Sequence, residues 1–328
     1  MARIHAISLP SPQQHTARRH ALIYFICGNP GLIDFYAHFL DCLRGLLNEG
    51  DTAYHVYGRN LLGFVDDEHE PFGPGNPPWD LDRQIEGMYD HVASLRTETK
   101  DERPYDEVIL MGHSVGTYIS VEIFRRHLED PSRAPHLHLR HGFLLFATLT
   151  HIAKSPSGLG VARLLQVPGF EANVHWLAKL PLALFSEGTL AWIVERVMGF
   201  TPAAAGVTAR WLKSRDGVWQ AIHMGLAEMR DIAEDTWEEE LWEVAVRGGE
   251  GAAAADLPRF FIFYGKEDHW VANHLRDEFI EKRKGSARII VDEGDLPHAF
   301  SVKEESSWAV ARKVAAWVDE IEGGRQKA

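Results

Sequence analysis

The chain reads as an α/β protein: a mainly parallel sheet flanked by helices on both faces, with a helical insertion. Three observations predict this. From residue 20 onward, apolar runs of strand length alternate with longer segments of helical period. The stretches between runs are long enough for the helical crossovers that parallel neighbours need. Between about 150 and 247 the texture becomes helical, rich in Trp and Leu and broken by Pro and Gly, before the alternation resumes. The expected division is a core in two parts, 1–149 and 257–328, separated by a helical lid or cap with its linker, 150–256.

In order, ALIYFIC (21–27) reads as a buried strand and LIDFYAHFLDCLRGLLNE (32–49) as one amphipathic helix. TAYHVYG (52–58) alternates like a strand. A loop rich in Gly, Pro and acid leads to a helix over 81–98. EVILMG (107–112) is the next strand, VGTYISVEIFRRHL the next helix, and HGFLLFATL (141–149) a further strand. After the helical segment, GGEGAAAAD (248–256) has the composition of a linker. RFFIFYG (259–265), a helix over 272–284, and ARIIVDE (287–293) restore the pattern. A last helix spans 302–321, and Ser301-Val-Lys-Glu304 at its start has the spacing of a capping box.

Composition excludes several classes. At 328 residues, with 45% hydrophobic and 25% charged residues, the chain has the make-up of a globular protein able to bury a large core. Its 34 Lys+Arg stand against 47 Asp+Glu, a formal net charge of -13. That balance repels a polyanion and argues against nucleic acid as a partner. It equally disfavours purely electrostatic docking on an anionic membrane. The basic knot Lys282-Arg283-Lys284 follows Asp277, Glu278 and Glu281, as on a solvated helix face. Cys27 and Cys42 form neither a disulfide framework nor a zinc pattern and read as small core residues. The first twenty residues have no continuous apolar region of the secretory type. No apolar run reaches the roughly 18 residues of a spanning helix.

Chemistry concentrates at strand ends, where open parallel sheets gather reactive groups. Gly112-His113-Ser114-Val115-Gly116 sits where a strand pattern becomes a helix pattern, the context that gives G-x-S-x-G its meaning. Such a turn strains the serine backbone and lifts its hydroxyl out of the fold as a nucleophile. The flanking glycines leave room for strand and helix to cross. Of 18 histidines, His298 in Leu-Pro-His-Ala-Phe occupies the slot after the last strand and before the last helix, where a base belongs. His113 is locked beside the serine and points elsewhere. His136, His138 and His141 alternate on a strand without a carboxylate or cysteine among them, which fits a polar strand edge better than a metal site.

The third member must be an acid. The loop after HGFLLFATL offers Thr148, Thr150 and His151 but no carboxylate. The next core strand is followed by Gly265-Lys266-Glu267-Asp268, so Glu267 or Asp268 supplies it, and the spacing Gly-x-x-Asp favours Asp268. An acyl-transfer site also needs donors for the oxyanion. The amide of Val115 is one. The loop Cys27-Gly28-Asn29-Pro30-Gly31 supplies the other from Asn29, since Pro30 has no amide proton. No metal or organic cofactor is required, and a serine at the elbow argues against the epoxide-opening and dehalogenating variants of this chemistry.

FICGNPGLIDFY, GHSVG, YGKEDHW and LPHAFSV together resemble the lipid droplet-associated hydrolase family, over about residues 20–321. The most specific stretch is GNPG-x-x-x-FY. The resemblance implies an α/β-hydrolase fold and a Ser-Asp-His triad, with Ser114, Asp268 and His298 on the catalytic positions and Asn29 in the GNPG loop. It also implies action on lipid esters, cholesterol esters among them, at lipid droplets or the cytosolic face of the endoplasmic reticulum. Two rivals remain open on sequence: a thioesterase or acyltransferase using the same triad, and a lipid-droplet surface protein with vestigial activity.

The helical segment is the part least like the family. LAKLPLALFSEGTLAWIVERVMGF (177–200) gathers apolar residues around a polar break at Ser186-Glu187-Gly188. Two such arms fit a lid over an acyl pocket, or a lid that also dips into a phospholipid monolayer. Trp176, Trp192 and Trp211 suit pocket walls and interfaces alike. DTWEEELWEV (235–244) reads as a solvated helix with one apolar stripe.

Overall fold

The computed structural model describes residues 4–47, 51–242 and 259–326; the linker expected at 248–256 lies outside them. Its first strand, β1 (Ala6–Leu9), precedes β2 (Arg19–Ile26) and a 3-10 turn, Ile33–Tyr36, which runs into α1 (Ala37–Leu46). Next come β3 (Thr52–Arg59), α2 (Leu81–Ser94), β4 (Glu107–His113), α3 (Val115–Glu129) and β5 (Leu139–Leu145). The helical insert holds α4 (Pro156–Leu165), α5 (Phe170–Leu182), α6 (Glu187–Met198), α7 (Pro202–Leu212), α8 (Gly217–Asp231) and α9 (Glu239–Trp242). Then β6 (Phe260–Tyr264), α10 (Asn273–Lys282), β7 (Arg288–Val291) and α11 (Glu304–Gln326) close the fold.

One sheet of seven strands results, in the order β1-β3-β2-β4-β5-β6-β7. Every pairing is parallel except β1 against β3. After β2 the chain crosses to β3 on one side and then returns to place β4 on the other. The crevice between the carboxyl ends of β2 and β4 is therefore the topological switch point, where such sheets bind ligands. β2 and β4 are apolar and buried almost throughout, as strands covered on both faces must be.

Several expectations shift. β1 was not foreseen: four residues followed by Pro10 give no periodic signal. The helix expected over 32–49 opens instead as the 3-10 turn, and Tyr36 leaves the helical region with φ -104° and ψ 1°. The helix expected over 81–98 stops at Ser94, whose hydroxyl donates to the carbonyl of His91. β5 ends at Leu145 because Phe146 takes a positive φ of 48°.

The capping box does not form as read. Ser301 lies inside a 3-10 turn, Phe300–Val302, and extended Lys303 precedes α11. β5 is no sheet edge, since β4 and β6 flank it; His141 is buried against Phe261 while His136 bonds the carbonyl of Ala93. Cys27 and Cys42 are buried free thiols, as core residues should be.

The basic knot is a solvated face only in part: Lys282 and Lys284 are exposed. Arg283 is fully buried, paired with Asp235 at 2.6 Å and Glu239 at 2.8 Å and stacked over the Trp242 ring. The stretch expected as a solvated helix with one apolar stripe supplies counter-charges and buries Trp237, Leu241 and Trp242, and among its described residues the helix is 239–242.

Candidate active site

The elbow joins β4 to α3 with Ser114 at φ 54° and ψ -126°. A non-glycine residue there is strained, and the surroundings must hold it. Close packing on both sides does so. A Cβ on Gly112 would stand 2.2 Å from the carbonyl oxygen of Gly116, and one on Gly116 2.3 Å from that of Ile26. Both glycines are required by the crossing of helix over strand.

His298 Nε2 lies 2.9 Å from Ser114 Oγ, and its Nδ1 lies 2.6 Å from Asp268 Oδ2. The other Asp268 oxygen accepts the Trp270 amide at 2.9 Å. Burial by itself would raise the Asp268 carboxyl, but the hydrogen bond and charge of His298 and the Trp270 amide take it below its ordinary value. Three loops, following β4, β6 and β7, thus bring hydroxyl, imidazole and carboxylate into one chain of hydrogen bonds. Glu267 is not part of it and bonds Asn273 at 3.2 Å.

The fourth loop follows β2. Gly28 packs against the elbow so closely that a Cβ would meet Ser114 Cβ at 3.1 Å and His113 Nδ1 at 2.9 Å. The Gly28 amide donates to the Tyr36 hydroxyl at 3.0 Å, so Asn29 carries the next amide along the loop. Val115 opens α3, where helix amides have no intrahelical acceptor. Asn29 and Ser114 share the wall of a cavity of about 570 Å³ with His298.

His113 does point away from the serine, and its destination was not legible in the sequence. Its Nδ1 is 2.8 Å from the Tyr36 hydroxyl and its Nε2 is 2.9 Å from the carbonyl oxygen of His298. Burial, with the nearby His298, pushes its pKa down to about 3, so the ring is neutral. Proton order along the chain then follows. Gly28 N–H donates to the Tyr36 oxygen, Tyr36 O–H donates to His113 Nδ1, and His113 Nε2–H donates to the backbone beside the imidazole. The GNPG-x-x-x-FY stretch gains a physical meaning: its tyrosine ties the Asn29 loop to the elbow, and its phenylalanine, Phe35, lines the cavity.

Opposite the elbow the cavity wall is apolar, with Val161, Leu164, Phe170 and Val174 from α4 and α5, and Met198 and Phe200 at and beyond the end of α6. Leu164 and Met198 line the cavity and are also half exposed, so the cavity reaches the surface beside those helices. The same stretch of chain carries Trp176, Leu180, Leu184, Trp192 and Val197 in solvent, whereas Trp211 turns inward to line the cavity. α5 and α6 meet at the expected break with Ser186 as the N-cap of α6, bent by 93°; no single described helix is long and apolar enough to cross a membrane.

Among solved structures, the chain is similar to a haloalkane dehalogenase from Bradyrhizobium elkani (TM-score 0.52, 18% identity, 98% of this chain and 97% of that one). It is similar too to a serine hydrolase involved in carbazole degradation (TM-score 0.51, 12% identity, 96% and 99%). At these identities the likeness concerns the fold, which is that of the α/β-hydrolases. Sequence relatives go further. Lipid droplet-associated hydrolase from Mus musculus is 25% identical, with 94% of this chain and 87% of that protein covered. The Homo sapiens protein of the same name is 27% identical, covering 88% and 82%. Residues 19–301 match the lipid-droplet associated hydrolase family, and the chain belongs to that family of enzymes.

Proposed function

We propose that the chain is a serine ester hydrolase that cleaves lipid esters at a lipid-droplet or endoplasmic reticulum surface, from the cytosolic side. The observation that carries this reading is the Ser114–His298–Asp268 hydrogen-bond chain beside a largely apolar cavity, lined in part by helices that also expose apolar side chains. His298 Nε2 takes the Ser114 proton as Oγ attacks the ester carbonyl carbon. The amides of Asn29 and Val115 hold the oxyanion, and the N-terminus of α3 adds positive potential. The intermediate collapses, the alcohol leaves with the proton from His298, and water repeats the sequence to release the acid. Asp268 stays ionised and stabilises the imidazolium.

The apolar wall favours a long acyl chain, since each buried methylene contributes about 0.8 kcal/mol. Neutral-lipid esters, cholesterol esters among them, are the substrates this reading assigns. The occupant proposed for the exposed apolar residues of α4–α6 is a lipid monolayer: the same helices supply Leu164 and Met198, which line the cavity and are half exposed, so substrate would enter from lipid without crossing water.

A fluorophosphonate probe tests the chemistry. Wild type should label covalently and Ser114→Ala should not; a folded wild type that stays unlabelled overturns the reading. Should Ser114→Ala keep a cellular lipid phenotype intact, the role at droplets is binding and not hydrolysis.

A further inference from the structure

Helix α8 reaches the Asn29 loop through two hydrogen bonds to one side chain. Asn29 Nδ2 donates to the carbonyl oxygen of Ala221 at 2.9 Å and to Glu228 Oε1 at 3.0 Å. Ala221 and Glu228 stand two turns apart on α8, hence on one face. Glu228 is buried on the cavity wall, and among the described residues no cation pairs with it. Burial pushes its carboxyl up to about 7, with only the Asn29 hydrogen bond opposing. A buried acid without a counter-charge is costly, and the triad makes no use of it. Among the described residues, the polar partner of its side chain is that of Asn29, whose amide this reading aims at the reaction.

We propose that Glu228 is a positioning residue for acyl transfer: with the Ala221 carbonyl it fixes the Asn29 side chain, and so aims the Asn29 amide at the oxyanion. This rests on the serine-hydrolase reading. Two acceptors on one rigid helix hold both Nδ2 protons, so the Asn29 residue cannot rotate without breaking one. A neutral carboxylic acid suits the place, because it accepts through its carbonyl oxygen without setting a full negative charge beside a forming one. No proton is transferred; Glu228 acts only through Asn29.

The test is a double-mutant cycle on a dissolved short-chain nitrophenyl ester, with the rate of fluorophosphonate labelling as a second readout. Removing one oxyanion donor outright costs about 10²–10³ in kcat, so loosening one through Glu228→Leu should cost about tenfold in kcat, with KM little changed. Glu228→Gln, which keeps the acceptor and removes the ionisation, should recover most of that loss. In an Asn29→Ala background Glu228→Leu should cost nothing further, because its only route of action is gone. If Glu228→Leu does not fold, Glu228→Asp, one methylene too short to reach Nδ2, carries the same comparison. Equal losses in both backgrounds, a loss confined to KM, or full kcat in the folded variant each overturn the proposal. Wild type that labels at Ser114 while the cycle turns out additive sinks the Glu228 role alone; wild type that never labels sinks the hydrolase reading beneath it.

Discussion

At the scale of single residues, the candidate site depends on groups outside the Ser114–His298–Asp268 chain. His113 spends both ring nitrogens on neighbours, the Tyr36 hydroxyl and the carbonyl beside the imidazole of His298. Replacing it by Leu strands both partners in a buried place. A lost hydrogen bond of about 1–1.5 kcal/mol at the base should lower kcat about tenfold. KM should move little, and steady-state kinetics on a dissolved ester checks the split. The second expectation concerns stability against pH. Glu228 holds its proton to about 7 when folded, against an ordinary value of 4.5. As pH rises between those values the unfolded chain ionises first, so stability present in full below the lower value declines toward the upper one, by roughly 3 kcal/mol. Glu228→Gln should flatten that decline, and melting temperatures across the range should show the variant above wild type at pH 8 and not at pH 4. Ser114, His298 and Asp268 were legible because each follows a strand pattern at a fixed place in the topology. Glu228 was not: a glutamate inside LAEMRD looks like any solvated helical acid until a distant loop is folded against it.

At the scale of elements, the insert divides into a fixed part and an outer part. α8 is fastened to the core by the Asn29 side chain. α4, α5 and α6 expose apolar residues, and α5 and α6 meet at the bend around Ser186. The sequence indicated helices here and the break between them, but not which would anchor, because anchoring depends on two acceptors spaced for one asparagine. The knot at 282–284 is a plainer lesson in how charge patterning misleads. Lys284 is well exposed, yet Arg283 beside it is sealed under Trp242, paired with nearly buried Asp235 and with exposed Glu239. Arg283→Ala empties the buried place under Trp242 and leaves Asp235 to Lys282 alone, so it should destabilise by about 2–3 kcal/mol. Lys284→Ala should stay within about 0.5 kcal/mol. Urea unfolding of the two variants separates them, and similar losses would return the knot to the surface role its sequence suggested.

At the scale of the whole molecule, the order of the core was readable because alternating strands and helices with long crossovers leave few topologies open. β1 escaped because it borrows its structure from β3 and has no pattern of its own. Charge and shape together then constrain how the molecule meets lipid. A net charge of -13 works against any anionic surface, while the outer face of α4–α6 offers Trp176, Leu180 and Trp192. On the proposed reading, attraction to a monolayer comes from buried apolar area and not from counter-ions, and the two respond oppositely to salt. Screening weakens charge–charge terms, which for this chain are repulsive, so binding to droplets coated with zwitterionic lipid should hold or strengthen as salt rises. Adding anionic lipid should weaken it at low salt. The paired change Trp176→Ser and Leu180→Ser should release the protein from droplets and lower the ratio of its activity on emulsified to dissolved ester. Flotation of artificial droplets measures the partition directly. Binding that grew with anionic lipid and collapsed with salt would place the contact on a basic patch elsewhere, and the cavity mouth would then open toward water.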